Sequence, residues 1–124
     1  MKNLEQIRAA NALGAAPNTT KQAVSKLPAM ILSNGLLAAA AFAMESNNNG
    51  QAKRPEMKSV MDAAALHLAM PLLGLGVLNG CKTADSMVKN LSKDGSSCDV
   101  QRATTEALAF IGYVKRFATK EGEA

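Results

Sequence analysis

Residues 28–45 read PAMILSNGLLAAAAFAME, apolar on nearly every side but interrupted at Ser33-Asn34-Gly35. A membrane-spanning helix needs about 20 consecutive apolar residues. This segment falls short, and its polar interruption lies near the middle. A second apolar stretch, 60–78, has the length but carries Asp62, His67, Pro71 and two glycines. The mean hydropathy of −0.02 is low for a membrane protein. No membrane insertion is therefore expected. A helix that is apolar all round belongs inside a bundle, which makes 28–45 its central helix. On a helical wheel Asn34, Ala38, Ala41 and Glu45 share the one edge left for water or a partner. Glycine in a helix interior costs about 1 kcal/mol against alanine, so Gly35 is expected to answer a packing need.

The remaining chain reads as helix around that segment. Of 124 residues, 48% are hydrophobic but only 3% aromatic. Alanine, leucine and methionine must then fill the interior, which favours close-packed helices over sheets. Leu4, Ile7, Ala10 and Leu13 recur at helical spacing within 3–16, with Asn3 and Gln6 as a capping box and Gly14 and Pro17 as the stop. A short helix over 20–27 starts at Thr19 or Thr20. Pro28 suits the first turn of the next helix, which places a boundary there. SNNNGQAK (46–53) is a loop. Pro55 opens a helix running at least to Met70, with a kink or break near Pro71. Thr83 caps a short helix to about Leu91. Ser96 and Ser97, with Asp99 near the positive end, cap a terminal helix reaching about Thr119. The expected fold is all-α, a compact bundle of five or six helices forming a single domain over 1–124, with 120–124 as a frayed tail.

The bulk chemistry excludes more than it selects. A net charge of +4 with a sequence pI near 9.3 permits contact with nucleic acid or anionic lipid without requiring it. Cys81 and Cys98 are too few for a disulfide framework and form no Cys-x-x-Cys. They read as free thiols in a reducing compartment. The lone His67 cannot complete a zinc site with them unless carboxylates join, so no metal or cofactor is expected. Charges spread through MKNLEQIRAANALG predict neither a secretory nor a lipidation signal. No catalytic constellation is present: Asp62 and His67, five apart, share no helix face well, and a general base needs an oriented partner. GLGVLNG (74–80) lacks the spacing, preceding strand and following acid of a dinucleotide fingerprint.

The terminal helix is the most informative element. Val100, Ala103, Ala107, Phe110, Ile111, Val114, Phe117 and Ala118 fall on one side, and Arg102, Thr105, Ala109, Tyr113, Arg116 and Lys120 on the other. A helix about 34 Å long can carry cations along an extended phosphate chain, and a tyrosine can stack on a base. By spacing alone the same face is what any surface helix shows.

PAMILSNGLLAAAAFA (28–43) and ATTEALAFIGYVKRFA (103–118) resemble the small helical subunit of type III-B CRISPR effector complexes, the Cmr group. MKNLEQIRAANAL is similar to bacterial members, and TADSMVKNLSKD (83–94) matches a helix of similar placement. The likeness spans nearly the whole chain and departs at 70–80, where relatives are expected to carry a smoother helix. It implies a cytoplasmic, non-catalytic subunit without cofactors. Copies stack head to tail in a minor filament beside the backbone and large subunits, and help shape the channel for guide RNA and target RNA in antiviral defence. On that reading Lys26 before Pro28 and Lys115-Arg116 match basic positions of the family motif. Arg8 and Lys21 are further RNA-binding candidates, as are Arg102 and Lys120 of the terminal stripe. The alternative is a free-standing helical DNA-binding regulator. That would need a recognition helix after a tight turn, and none stands out.

Overall fold

The computed structural model describes residues 3–118 and contains six α-helices: α1 (Leu4–Ala15), α2 (Lys21–Asn34), α3 (Leu36–Ala43), α4 (Pro55–Leu68), α5 (Ala84–Lys93) and α6 (Ser97–Phe117). A 3-10 turn, Ala16–Asn18, follows α1, and two more, Pro71–Leu73 and Gly76–Leu78, lead from α4 to α5. The described residues form no strand. A single antiparallel bridge between Ser46 and Ala52 closes the loop after α3. Lys120 and the tail at 120–124 lie outside the described residues.

Helix starts follow local chemistry. The first N–H groups of a helix have no partner within it, and short polar side chains satisfy them. Asn3 Oδ1 accepts from the Gln6 N–H at 2.8 Å while Gln6 Oε1 accepts from the Asn3 N–H at 2.9 Å. Ser96 and Asp99 repeat this reciprocal pairing at α6, at 3.1 and 2.9 Å. Thr20 and Thr83 cap α2 and α5, each at 3.2 Å. Asp62 pins α5 to α4 by accepting the Ala84 N–H at 2.9 Å.

The expected boundary at Pro28 is wrong. The chain runs as one helix through it and breaks instead at Gly35. A proline inside a helix costs about 3 kcal/mol. Val24, Leu27 and Ile31 are nevertheless all buried, at 0%, 0% and 2% exposure, in a stripe that crosses the proline. Each buried side chain of this size contributes about 1.5–3 kcal/mol, so three together outweigh one missing hydrogen bond. Gly35 has φ 93 and ψ 160, a region open essentially to glycine alone. Its N–H closes α2 on the Ile31 carbonyl at 2.8 Å, and its carbonyl accepts the Ala39 N–H to open α3 at 3.1 Å. A Cβ there would meet nothing within 4 Å. The glycine serves backbone conformation, and the close approach expected from the sequence is absent. Asn34, Ala38, Ala41 and Glu45 face outward as the wheel predicts, but they are not the one edge left: Ala29, Leu32 and Ser33 are exposed too, Leu32 at 74%, so the segment is not buried all round.

Two other boundaries move less. The fourth helix ends at Leu68, two residues short of Met70, because the residue before a proline disfavours helix. Met70 is extended at ψ 126, and Gly74 takes a left-handed φ of 72. The sixth ends at Phe117, with Ala118 as its cap.

The core is continuous. Ala39, Ala40 and Ala43 of α3 are fully buried and admit α2, α4 and α5 at close range. On the other side α6 packs against α1, α2 and α4 through Ala103, Ala107, Phe110, Ile111 and Val114, all at 0% exposure. No helix among the described residues is long and apolar enough to cross a membrane.

Candidate functional site

The meeting of α1, α4 and α6 holds a polar cluster inside an otherwise apolar interior. Glu106 lies on the buried side of α6 in register with Ala103, Ala107 and Phe110. Arg8 of α1 grips it with two parallel bonds, Nε to Oε2 and Nη2 to Oε1, each 2.7 Å. His67 of α4, whose side chain is 0% exposed, meets Oε2 through Nε2 at 2.8 Å. Its ring stacks on Phe110 with centroids 4.6 Å apart. Its other nitrogen, Nδ1, lies 2.8 Å from Asn11 Nδ2, which also reaches Met70 Sδ at 3.0 Å.

The protonation pattern follows from these partners. Burial pushes the His67 imidazole below its ordinary value, against the raising effect of Glu106. Burial pushes the Glu106 carboxyl up, but hydrogen bonds from Arg8 and His67 together outweigh it and hold the group below the usual carboxylate range. The hydrogen bond to Glu106 raises Arg8. A neutral imidazole donating from Nε2 to an ionised Glu106 and accepting at Nδ1 from Asn11 satisfies every atom. No buried side-chain nitrogen or oxygen among the described residues lacks a partner. A carboxylate saturated in this way is a structural anion. His67 is packed inside the bundle.

A groove of about 1040 Å³ opens beside this cluster. One wall is α1 with Leu4, Ile7 and Ala10, another the 70–75 segment with Leu72, and the third the start of α6 with Gln101, Arg102 and Thr105. A smaller pocket of about 440 Å³ lies between α2, α3 and α4, where Lys26 stands near Arg54. Arg54 is occupied: it lies 3.6 Å over the Phe42 ring, pairs with Glu45 at 2.7 Å and donates to the Phe42 carbonyl at 3.1 Å.

The candidate RNA-binding residues are spread over the surface. Arg8 is half-buried in its pair with Glu106. Lys21 and Lys26 are exposed on the first half of α2. Arg102 is exposed at the groove and has no salt-bridge or hydrogen-bond partner among the described residues, its guanidinium lying beside Gly74. Lys115 and Arg116 are exposed in the last turn of α6. Lys120 falls outside the described residues. The outer stripe of α6 borders α1: Arg102, Thr105 and Arg116 are exposed, while Ala109 and Tyr113 are half-buried. Tyr113 donates its hydroxyl to Glu5 at 3.1 Å and leans on Phe117 with centroids 6.1 Å apart. Burial and that hydrogen bond push its phenol up.

Sequence reasoning missed Glu106 and Asn11. A signal for Glu106 existed, since a glutamate three residues after Ala103 and four before Phe110 sits on the apolar stripe and must find a buried cation. The identity of that cation, 98 residues away, had no signal. Cys81 is buried and Cys98 exposed, both free thiols. No group of three or more potential metal ligands occurs among the described residues.

Residues 2–121 match the family described as CRISPR-associated protein (Cas_Cmr5). Comparison with curated proteins returned no match, and comparison with solved structures returned none.

Proposed function

The chain belongs to the Cmr5 family of CRISPR-associated proteins, and from that premise we propose that it is a non-catalytic wall subunit of a type III-B ribonucleoprotein. Copies stack in a minor filament beside the backbone and large subunits, and their basic surface lines the channel for guide and target RNA. A wall of this kind needs rigid helices and cations facing phosphates. It needs no base-specific reading, because phosphate contacts position a strand without specifying sequence.

The observation that carries the reading is the Lys115-Arg116 pair. The two are adjacent, exposed, and without a salt-bridge partner among the described residues. They complement the negative end of the α6 dipole by only about 0.3–1 kcal/mol, which leaves their charge available to a strand. Lys21 and Lys26 of α2 are secondary candidates.

Two measurements test this. A tagged chain expressed with its complex should bring down guide RNA and the larger subunits; recovery of the chain alone would remove the reading. In the assembled complex, Lys115→Ala with Arg116→Ala should weaken single-stranded target RNA binding. The slope of log affinity against log salt should fall by about 0.7 per lost contact. An unchanged affinity and slope would clear these two residues of the role.

A further inference from the structure

We propose that the groove between α1, the 70–75 segment and the start of α6 is a docking site for a short amphipathic helix of another protein, with leucine-class anchors along one ridge and a carboxylate at its edge. The assignment goes beyond the RNA contacts above: it uses neither Lys115 and Arg116 nor Lys21 and Lys26, and it gives Arg102, an RNA candidate by sequence, a different partner.

The shape fits a helix. Leu4, Ile7 and Asn11 line the groove at positions i, i+3 and i+7 of α1. That ridge extends about 10 Å, two turns at the usual rise. A groove beside one helical ridge receives the ridge of another. The surface is also unfinished. Leu72 is 77% exposed and Leu4 40% exposed, facing the same space. Leu72 is held outward by a 3-10 turn that closes on left-handed Gly74.

The charge names the partner. Two side chains bring full charge to this lining, Arg102 and Glu106. Glu106 is neutralised by Arg8 and further satisfied by His67. Arg102 has no partner among the described residues. The groove therefore presents an apolar floor with one uncompensated cation at its rim, which suits a helix bearing leucines and one acid. RNA or an anionic bilayer would call for several cations and no such floor. A second copy of this chain is a poor fit. Among its other exposed leucines, Leu13 and Leu32 have no acidic residue within a helical turn. Leu66 has only Asp62, which is engaged by Lys58 and by the start of α5.

The test is titration of the full-length chain with a fluorescent synthetic peptide helix of about 18 residues. The peptide carries leucines at i, i+4 and i+7 and a glutamate flanking them. Saturable binding is expected, weakened at least about tenfold by Leu72→Asp and by Arg102→Glu. A peptide with lysine in place of the glutamate should recover affinity for the Arg102→Glu chain. Both residues are exposed, so circular dichroism should show unchanged helicity in each variant. The Lys115→Ala/Arg116→Ala chain should bind the peptide normally, which separates this site from the RNA reading. No saturable binding, or binding indifferent to both substitutions, overturns the proposal. So does self-association of the parent chain that Leu72→Asp abolishes, since a second copy would then fill the groove. Loss of RNA affinity in the Arg102→Glu complex with no effect on the peptide would overturn it in favour of RNA.

Discussion

Glu106 shows how one side chain ties three helices together. It accepts two bonds from Arg8 and one from His67, and the side chains of Arg8, Glu106 and His67 are only 24%, 11% and 0% exposed. Truncating one member leaves the others buried without partners, which costs more than the net value of the bonds lost. Glu106→Ala should therefore destabilise the fold by about 2–3 kcal/mol in denaturant unfolding. Adding Arg8→Met should recover part of that, because the stranded cation is removed. A loss under about 0.5 kcal/mol would show the cluster to be dispensable, as for ordinary surface substitutions. The same cluster makes stability depend on acid. His67 is held below its ordinary value of 6.5. Below that pH the unfolded chain binds a proton that the folded chain refuses, so stability falls as pH drops, by at most about 1.4 kcal/mol per unit. Glu106, held below 4.5, adds stability that is present above that value and lost as pH falls through its folded range. Unfolding midpoints at pH 7.5 and 5.5 should differ in that direction, and His67→Gln should shrink the difference.

At the scale of elements, the opening segment carries the lesson. A proline and a glycine seven residues apart both signal a break, and local rules rank the proline higher. The core reverses that order. Continuing the helix through Pro28 keeps Val24, Leu27 and Ile31 in one buried stripe, whereas Gly35 reaches φ 93 without strain. Gly35→Ala should cost about 1–3 kcal/mol from backbone strain alone, since no atom obstructs its Cβ. The melting temperature checks this, and an unshifted midpoint would mean that the junction between α2 and α3 relaxes freely. The capping residues Asn3 and Thr83, by contrast, were legible from the sequence, and Thr20 and Ser96 to within one residue. A cap acts within three residues and needs no tertiary context.

At the scale of the molecule, α6 joins α1, α2 and α4 in one interior. Its Phe110 is fully buried and stacked on His67. Unfolding should therefore be one cooperative transition, coincident by far-ultraviolet circular dichroism and by tyrosine fluorescence. Phe110→Ala should lower its free energy by about 3–5 kcal/mol. Separate transitions for the two probes would divide the bundle into independent parts. The proposed RNA-facing surface belongs to this scale too, because the exposed cations of α2 and α6 could meet one strand only as their helices place them.

The sequence by itself determined the all-α class, the starts of α1, α4 and α5 and, to within a residue, those of α2 and α6, and the apolar side of α6. Each of these is carried by residues within a few positions of one another. Its blocks at 28–43 and 103–118 also carried the family likeness. Only the tertiary structure decided where the second helix ends, which face of it is buried, and that Arg8, Asn11, His67 and Glu106 converge. Those outcomes depend on burial summed over residues distant in the chain. No local pattern records a partner 39 or 98 positions away.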